Sequence, residues 1–260
     1  MTVLCVLPAR LASRRLPRKP LLPLAGRPLI EWSWRAACRV EAFDEVWVAT
    51  DAPEVASVVR ELGGTAVLTD AEHASGTDRV AEAARRPEAR GFDIVVNYQA
   101  DEPFLDAGAI GRAVEAVRSG RAGVATLAAP IVDPEDWASP SVVKVVTARD
   151  GGALYFSRAP IPHPRDGSPE LLAEAGSPYL RHLGLYAFGR EALERWTALE
   201  PSRLERIERL EQLRALEAGL PIHVVVGPAT GPGVDVPEDV ERAERRLADE
   251  SPTRRIRIDD

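Results

Sequence analysis

Along the first 130 residues, short continuous apolar runs alternate with segments in which apolar residues recur at helical spacing. The apolar runs predict strands that are buried on both faces, and the segments between them predict amphipathic helices. Strands that alternate with helices of this length are typical of a parallel α/β sheet. The predicted strands cover 3–7, 45–50, 66–68, 93–97 and 124–128, and the predicted helices cover 28–40, 53–62, 77–85 and 106–118.

The pattern changes after residue 130. Three apolar segments, at 142–147, 153–156 and 182–188, follow one another without full helices between them, which favours antiparallel pairing. Residues 160–178 are rich in Pro, Gly, Ser and Glu, and this composition predicts a mobile surface loop. The last predicted elements are a strand and two helices, at 222–226, about 203–217 and 237–249.

The length of 260 residues suits one large domain, and the sequence contains no internal repeat and no long linker. We therefore expect a single domain over residues 1–250. An antiparallel insert at about 140–190 and a tail at 251–260, to which we assign no role, complete this organisation.

Composition excludes several classes of protein. A hydrophobic fraction of 45% with 28% charged residues is too apolar for intrinsic disorder. The 33 basic and 40 acidic side chains give a net charge of −7, which argues against a nucleic-acid polymer as partner because such binding needs a basic face. Lys19 and Lys144 are the two lysines of the chain, so nearly all of its cations are arginines.

The chain has two cysteines, too few for a disulfide framework, and Cys5 and Cys38 both fall in segments predicted to be buried. We expect them to be reduced core residues. The apolar run at residues 3–7 is too short for a signal peptide, and no stretch approaches the length of a membrane span. These features predict a soluble cytoplasmic protein with no membrane partner.

A cluster of positive charge follows the first predicted strand, where five cations fall within ten residues: Arg10, Arg14, Arg15, Arg18 and Lys19. Ligands of open α/β sheets bind at the carboxyl ends of the strands, and guanidinium and ammonium groups suit phosphate oxygens. The loop therefore predicts a polyphosphate site. The competing interpretation is a solvated basic loop. No Gly-Lys-Ser/Thr ending is present, so the loop is not a P-loop.

The order of residues in this loop resembles the signature of the cytidylyltransferases that activate acidic sugars, and most of all the 3-deoxy-manno-octulosonate (KDO) cytidylyltransferase family. The matching elements are Pro8-Ala9-Arg10, Ser13, Arg15-Leu16-Pro17 and Lys19-Pro20. Six further motifs stand in the family's order, at 73–79, 97–103, 155–158, 181–186, 210–214 and 233–239. One such motif alone is weak, whereas six in order are specific, and the resemblance extends to about residue 246.

This resemblance implies a Rossmann-like, GT-A-like nucleotidyltransferase fold, with a mixed sheet flanked by helices. The implied reaction is attack by the anomeric hydroxyl of KDO on the α-phosphorus of CTP, which releases pyrophosphate and forms CMP-KDO, a precursor for lipopolysaccharide. Nucleotidyl transfer depends on positioning and charge neutralisation more than on a protein nucleophile. The family also implies a homodimer that forms through the antiparallel insert.

The catalytic group implied by the resemblance comprises Lys19, Arg10, Asp101 and Asp235. Arg10 and Lys19 hold the triphosphate, with Arg15 assisting. Asp101 and Asp235 are the implied ligands of a Mg²⁺ cofactor, for which two carboxylates and the substrate phosphates suffice. The alternative for Asp101 is a turn residue, and the alternative for Asp235 is a helix cap.

The implied CTP-binding set reaches beyond the loop, and its segment at 73–79 faces the cytosine together with Gln99. A pocket that hydrogen-bonds cytosine rejects uracil because its own polar groups would be left unpaired. The alternative for this segment is an ordinary helix N-cap at Thr77. The full set is Pro8, Ala9, Arg10, Ser13, Arg15, Lys19, His73, Ser75, Gly76, Thr77, Arg79 and Gln99.

Five residues would contact the sugar acid by the same resemblance. Arg158 and His182 would lie near its carboxylate, and Tyr186, Glu211 and Gln212 near its hydroxyls. Without the resemblance, His182 is a structural histidine, and Glu211 and Gln212 are a solvated helix face.

Two positions depart from the family, which usually has glycine where this chain has Arg18 and Ala100. A residue with a Cβ is tolerated at Ala100 if its φ is negative, and Arg18 adds charge and stiffness to the loop.

Two other functions stay open at this point. One is cytidylyl transfer to another sugar acid or to a phosphonate, because the preference for Arg and Ala over Lys hints at a GC-rich source. The other is a nucleotide-binding regulator without catalysis, against which the presence of Lys19, Asp101 and Asp235 argues.

Overall fold

The computed structural model describes residues 1–13, 15–167, 169, 177–231 and 233–249. In this part of the chain, nine strands join in one mixed sheet and two very short strands, β2 and β3, form a separate hairpin. The strands are β1 Val3–Ala9, β2 Pro23–Leu24, β3 Arg27–Pro28, β4 Glu45–Thr50, β5 Thr65–Leu68, β6 Ile94–Tyr98, β7 Val124–Pro130, β8 Lys144–Thr147, β9 Ala153–Ser157, β10 Leu180–Gly189 and β11 Ile222–Val226.

The strand order in the sheet is β11-β7-β10-β6-β1-β4-β5. The pairs β6–β1, β1–β4 and β4–β5 are parallel, and so is β11–β7. β10 runs antiparallel to both of its neighbours, β6 and β7, and it also pairs with β8, which continues to β9. The predicted mixed sheet with an antiparallel segment is therefore confirmed.

Helices cover both faces of the sheet. They are α1 Leu29–Cys38, α2 Pro53–Glu61, α3 Gly76–Ala84, α4 Ala107–Arg118, α5 Pro134–Ala138, α6 Arg190–Thr197, α7 Arg203–Glu208, α8 Gln212–Glu217 and α9 Pro237–Asp249. The core residues of α2 and α4, with Ile30 and Ala37 of α1, belong to one apolar cluster, and those of α3, α6 and α8 belong to the other. The sheet lies between these two helical layers.

β1 shows how the sequence encodes this layering. Successive side chains of a strand point to opposite faces of the sheet. Val3, Cys5 and Leu7 accordingly join the cluster on one face, and Leu4 and Val6 join the cluster on the other. All seven residues of the strand are buried, so the continuous apolar run correctly predicted a central strand.

One long predicted helix is interrupted. The segment expected at 203–217 forms α7 and α8, because Arg209 adopts a left-handed conformation with a φ of 56° and ends α7. A left-handed residue cannot continue a right-handed helix. The break matters for the site because it places Glu211 in the buried turn that leads into α8.

Several elements were not predicted from the sequence, namely α5, α6 and the β2–β3 hairpin. For α6 a signal existed: Ala192, Leu193 and Trp196 recur at helical spacing, and all three are buried. The predicted loop at 160–178 lies only partly within the described residues. The tail at 251–260 lies wholly outside them.

The two cysteines differ from each other. Cys5 is buried in β1, as expected, whereas Cys38 is exposed at the end of α1, so the expectation that both are core residues is wrong for Cys38. Helical periodicity places Cys38 on the outer side of the last turn, which composition does not reveal. None of the described helices combines the length and the hydropathy needed to span a bilayer.

Candidate active site

The parallel strands β1, β4 and β6 are neighbours, so their carboxyl ends meet at one edge of the sheet. The arginine-rich loop leaves β1 at this edge, Asp51 follows β4, and Gln99 and Asp101 follow β6. Binding sites of open α/β sheets lie at such an edge. Side chains that are far apart in sequence are thereby brought into one cleft.

Lys19 lies at the centre of this cleft, at the start of a short 3₁₀ helix formed by Lys19–Leu21. Its ammonium group forms a close ion pair with Asp101 and lies 3.1 Å from Oδ1 of Asp235. Burial alone would lower the pKa of Lys19, but the two carboxylates outweigh burial and raise it above its ordinary value. Lys19 therefore stays charged and joins the two aspartates.

Backbone contacts fix the distance between these aspartates. The amide of Val234 donates a hydrogen bond of 2.8 Å to the carbonyl of Asp101, which joins the loop after β6 to the segment before α9. Asp239 caps α9 by accepting from the amides of Asp235 and Val236, at 2.9 and 3.0 Å. The capping role considered for Asp235 thus belongs to Asp239. The carboxylate of Asp235 instead pairs with Lys19 and Arg15.

A cavity of about 270 Å³ opens beside Lys19, and we call it the first cavity. Most of the residues predicted to bind CTP line it: Pro8, Ala9, Arg10, Ser13, Arg15, Lys19, Gly76, Arg79 and Gln99. Asp101 and Asp235 line it as well. The structure therefore brings together residues from four separate segments of the sequence. Arg14, which the sequence also placed in the basic loop, lies outside the described residues.

Arg79 is a buried cation in the wall of the first cavity. Its side chain donates to the hydroxyl of Thr69, and its Nη2 lies 3.7 Å from Oδ2 of Asp51. This Nη2 is buried and has no hydrogen-bond partner in the described part of the chain. Burial lowers the pKa of Arg79 against the opposing effect of Asp51, and the nearby Arg10 lowers it further. A buried donor without a partner is costly, so an anion entering the cavity would be stabilised here.

The residues around the start of α3 are of two kinds: some line the first cavity, and others support the helix. Ser75 is the N-cap of α3 and forms a capping box with Asp78, so the cap considered for Thr77 is at Ser75 instead. His73 contacts Glu82 at 2.6 Å, outside the lining of the first cavity. Gly76 does line it, and a Cβ there would lie 3.3 Å from Pro8, so glycine permits this close approach.

A second cavity of about 550 Å³ adjoins the first, and both share Arg15, Asp101 and Asp235 in their walls. Three further arginine and histidine side chains line it: Arg181, His182 and Arg242. This cavity is the larger of the two, and it lies on the side of the aspartates that faces β10 and α9. A second substrate bound here would meet the first at Asp101 and Asp235.

Glu102 lines the second cavity, and it is not among the site residues predicted from the sequence. Burial, and next the neighbouring Asp101, raise its pKa to about 7, while Arg181 and the amide of Gly184 oppose this rise. That amide donates to Glu102 at 3.2 Å. A Cβ on Gly233 would lie 3.1 Å from the Glu102 carboxyl group. The position of Glu102, directly after Asp101 at the end of a buried strand, was a signal for this residue.

The residues predicted to bind the sugar acid do not all meet at these cavities. His182 lines the second cavity, where its Nε2 lies 2.9 Å from Oγ1 of Thr126. Burial lowers the pKa of His182 to about 3, so its ring is neutral at physiological pH. A neutral imidazole supplies no charge for a carboxylate.

Tyr186 and Gln212 are buried and Glu211 is half-buried, and none of the three lines either cavity. Glu211 accepts from the hydroxyl of Thr77 at 3.1 Å and from the indole of Trp196 at 2.7 Å, and burial raises its pKa. Burial, and next the Glu211 charge, hold the pKa of Tyr186 well above its usual range. The Tyr186 hydroxyl is buried without a partner in the described residues.

These residues connect to the first cavity through side-chain hydrogen bonds. Gln99 donates to Asn97, and Asn97 donates to Thr77, each at 3.3 Å. Thr77 in turn donates to Glu211. We call Thr77, Asn97, Gln99, Glu211 and Trp196 the buried polar cluster. It supports the wall of the first cavity from behind.

Arg158 lies apart from both cavities. Its guanidinium donates to the carbonyls of Glu208 and Pro140, each at 2.9 Å. Nearby, the ammonium of Lys144 donates to three carbonyls, including that of Arg158, at 2.7–2.8 Å. Lys144 is fully buried and holds together the backbone around β8 and β9.

The two departures from glycine have different outcomes. Ala100 is absent from the residues with positive φ, so its Cβ is tolerated as expected. Arg18 has a φ of 56°, the left-handed conformation that glycine adopts freely and other residues adopt at a cost. Its guanidinium lies 3.2 Å from a carboxylate oxygen of Glu54 at the start of α2. This ion pair joins the basic loop to the helix behind it.

The carboxylates of the cleft are also the groups that could bind a metal ion. The described residues contain no group of three or more His, Cys, Asp or Glu side chains arranged to hold one. Asp101, after β6, and Asp235, before α9, both pair with one cation, the Lys19 ammonium. Two carboxylates suit Mg²⁺ when substrate phosphates complete its coordination. The residues present therefore fit Mg²⁺ only in the company of a bound polyphosphate.

Comparison with known proteins agrees with this geometry. A family model described as "Cytidylyltransferase" matches residues 4–222. A 3-deoxy-manno-octulosonate cytidylyltransferase from Syntrophobacter fumaroxidans is 46% identical over 252 residues, which cover 96% of this chain and 99% of that protein. The chain belongs to the 3-deoxy-manno-octulosonate cytidylyltransferase family. Another relative of the same description, from Anaeromyxobacter dehalogenans, is 50% identical over 246 residues, which cover 95% of this chain and 98% of that protein.

Solved structures extend the comparison from sequence to fold. This cytidylyltransferase superposes with a TM-score of 0.85 on a CMP:2-keto-3-deoxy-manno-octonic acid synthetase in complex with CTP, at 40% identity over 96% of this chain and all of the other. A putative glucose-1-phosphate thymidylyltransferase from Bacillus anthracis superposes with a TM-score of 0.64 at 17% identity, covering 95% of this chain and 96% of that one, a likeness of fold alone. The predicted nucleotidyltransferase fold is therefore confirmed.

Proposed function

We propose that the protein transfers CMP from CTP to the anomeric hydroxyl of KDO, releasing pyrophosphate and forming CMP-KDO. The observation that carries this proposal is the convergence of Lys19, Asp101 and Asp235 beside an arginine-rich loop. The family to which the chain belongs, and the CTP held by the related synthetase, support the same reaction.

The basic loop is placed to neutralise a triphosphate. Lys19, Arg10 and Arg15 line the first cavity, where their positive charges can offset the charge that develops on the departing pyrophosphate. The anomeric oxygen of the sugar forms a bond to the α-phosphorus while the bond from that phosphorus to the β-phosphate oxygen breaks. The hydroxyl proton leaves to solvent water.

Magnesium completes the proposal as a cofactor. Asp101 and Asp235 would hold the ion together with phosphate oxygens. When bound, Mg²⁺ supplies charge neutralisation at the reacting phosphate and lowers the pKa of a coordinated hydroxyl. Lys19, relieved of the two carboxylates, is then free to contact the triphosphate.

The second cavity is the proposed site of the sugar acid. It shares Asp101 and Asp235 with the first cavity, so a sugar acid in it would meet a nucleotide in the first cavity at these two aspartates. Arg181 and Arg242 provide positive charge for a carboxylate. The buried polar cluster supports the nucleotide side and does not itself line the second cavity.

One experiment tests the reaction directly. The purified full chain is incubated with CTP, Mg²⁺ and a panel of sugar acids and phosphonates, and the products are identified by mass spectrometry. We expect CMP-KDO and pyrophosphate in equal amounts, and neither without Mg²⁺. A CMP conjugate with another acid but not with KDO would move the proposal to that acceptor. CTP binding without a conjugate would favour a regulator.

We further propose that the protein acts as a cytoplasmic homodimer in a route to lipopolysaccharide. β9 is an edge strand of the antiparallel segment, and Leu154 on it is 63% exposed, which supports an interface there. Free thiols at Cys5 and Cys38 suit a reducing compartment. Light scattering tests the dimer: the wild type should have twice the mass of the chain, and Leu154→Glu should reduce it towards the monomer.

A further inference from the structure

Thr126 of β7 and His182 of β10 form an asymmetric hydrogen-bond arrangement within the sheet. Oγ1 of Thr126 lies 2.9 Å from Nε2 of His182 and 2.6 Å from the carbonyl oxygen of Leu185. Thr126 is fully buried, so water does not compete for these contacts. A threonine hydroxyl has one proton to donate, and a carbonyl oxygen can only accept. The hydroxyl proton therefore points at Leu185.

This assignment determines the state of the histidine ring. Since the Thr126 proton is used for Leu185, the contact between Oγ1 and Nε2 requires a proton on Nε2. A neutral imidazole carries one ring proton, so Nδ1 is left as a hydrogen-bond acceptor. The ring packs edge-on against Phe156 at 5.1 Å and beside Tyr186 at 5.4 Å between centroids. This apolar enclosure keeps the ring uncharged, in agreement with its lowered pKa.

His182 also lines the second cavity. We propose that Thr126 is a positioning residue that locks His182 in the Nε2–H tautomer, so that Nδ1 accepts a hydrogen bond from a hydroxyl of the acceptor sugar. This inference rests on the proposed function and assigns a role within its second cavity. Thr126 has no place among the residues implied by the family resemblance.

The Nε2–H tautomer of His182 favours a substrate hydroxyl over a substrate carboxylate at Nδ1. A hydroxyl can donate to the Nδ1 lone pair, whereas a carboxylate oxygen would face it with a lone pair of its own and be repelled. The carboxylate of the substrate is then better placed toward Arg181, in the same cavity. The resemblance had placed His182 near the carboxylate instead. Tyr186 on the same strand lies beside this ring, and the second cavity that His182 lines also contains titratable or charged groups, among them Glu102, Asp136 and Arg181.

Nuclear magnetic resonance reads the tautomer without any turnover. The full chain, labelled with ¹⁵N-histidine, contains four histidines, and His182→Phe identifies the signal of interest. Two-bond ¹H–¹⁵N correlations should show Nε2 protonated and Nδ1 unprotonated from pH 5.5 to 8.5. A proton on Nδ1, or an imidazolium at neutral pH, would overturn the proposal whatever the enzyme makes.

Addition of KDO then tests the contact itself. The Nδ1 resonance should move toward the shift of a hydrogen-bonded acceptor on addition of KDO, and it should not move on addition of CTP alone. A protein that makes CMP-KDO without this movement would overturn the role of Nδ1 while leaving the proposed function intact. A movement with KDO in a protein that makes no CMP-KDO would support the contact and count against the function.

Enzyme kinetics distinguish a role of Thr126 in positioning His182 from a general role in holding the fold. Thr126→Val removes the hydroxyl at nearly constant volume, and we expect it to raise the KM for KDO about tenfold, equivalent to about one hydrogen bond. The KM for CTP should stay within about twofold. Thr126→Ser restores the hydroxyl and should recover the wild-type KM. Equal losses toward both substrates, or no recovery with serine, would contradict the proposal. If Thr126→Val does not fold, a wild-type KM for KDO in His182→Phe contradicts it instead.

Discussion

The basic loop after β1 and the buried polar cluster behind the first cavity are both polar, but they are built differently. Two arginines of the loop are open to solvent: Arg15 is 60% and Arg18 is 62% exposed. In the cluster, Thr77 and Asn97 are fully or almost fully buried, and the Glu211 carboxylate accepts two hydrogen bonds. Exposed charges tolerate rearrangement, whereas buried polar groups need their partners.

This difference predicts different effects for mutations in the two regions. A change at the exposed arginines of the loop should have little effect on stability, since these charges are solvated when no substrate is bound. Lys19 is the exception in the loop, because it is 13% exposed and paired with Asp101 and Asp235. A change in the cluster should alter the free energy of unfolding, since a buried donor or acceptor loses its partner. The five predictions below test that separation, from the largest expected effect to the smallest.

Removal of the central cation should have the largest effect. Lys19→Ala should lower kcat by about a thousandfold, because a preorganised charge at the transferred phosphate is lost. Steady-state assays of pyrophosphate release measure this. Lys19→Arg is the matched control, and it should recover only part of the rate because a planar fork replaces a compact charge. Full activity of Lys19→Ala would show that the ammonium does not act on the phosphates.

The second prediction compares two aspartates that are four residues apart. Asp235→Asn should lower kcat/KM by about a hundredfold and raise the Mg²⁺ concentration needed for half-maximal rate, because a cofactor ligand loses its charge. Asp239→Asn keeps a side-chain oxygen that can accept from the amides of Asp235 and Val236, so it should cost about 1 kcal/mol of stability and change the Mg²⁺ titration far less than Asp235→Asn does. A normal Mg²⁺ titration in Asp235→Asn would remove this residue from the metal site.

The third prediction concerns the buried polar cluster. Glu211→Ala should lower the free energy of unfolding by about 3 kcal/mol, because the hydroxyl of Thr77 and the indole of Trp196 lose their buried acceptor. Urea denaturation measures this. Glu194→Ala, at an exposed position on α6, is the control and should change stability by less than about 0.5 kcal/mol. Equal stability of the two variants would contradict the structural role of the cluster.

The fourth prediction is a pH dependence. His182 has a pKa of about 3 when folded, against an ordinary value of 6.5, so below pH 6.5 the unfolded chain binds a proton that the folded chain does not. The His182 contribution to stability should therefore fall as the pH falls from 6.5 toward 3, by about 2 kcal/mol at pH 5, while Glu102, whose pKa is raised to about 7, contributes in the opposite sense. His182→Phe should lack this part of the loss of stability at acidic pH, and the difference between the two proteins measures it. Parallel curves of stability against pH for the two proteins would show that His182 is not buried as a neutral ring.

The smallest expected effect is at Arg18. Arg18→Gly relieves the left-handed conformation, worth about 1 kcal/mol, and loses an exposed ion pair with Glu54 worth less than that. We expect a slightly raised melting temperature. Glu54→Gln, which removes the ion pair alone, should change stability by under about 0.5 kcal/mol. A marked loss of stability in Arg18→Gly would show that the ion pair contributes more than the strain.

The loop and the cluster also differ in how far they could be predicted. Lys19, Arg10 and Arg15 were recognisable because they follow a buried strand and keep the order of a family signature. Thr77, Gln99 and Glu211 were named by the family resemblance, but their connection into one cluster was not predicted, because Glu211 lies in a segment whose sequence resembles one solvated helix. The left-handed Arg209 breaks that helix, and the propensity of a single residue does not reveal such a turn.

Hydrophobic periodicity by itself determined the alternating strands and helices, the change to antiparallel pairing, and the edge at which the basic loop lies. These features depend on local spacing, which the chain carries in every environment. Only the tertiary structure decided that β10 enters the sheet between β6 and β7, that Lys19 joins Asp101 to Asp235, and that Thr126 orients His182. Those outcomes depend on contacts between distant segments, and such contacts form only when the sheet brings the segments together.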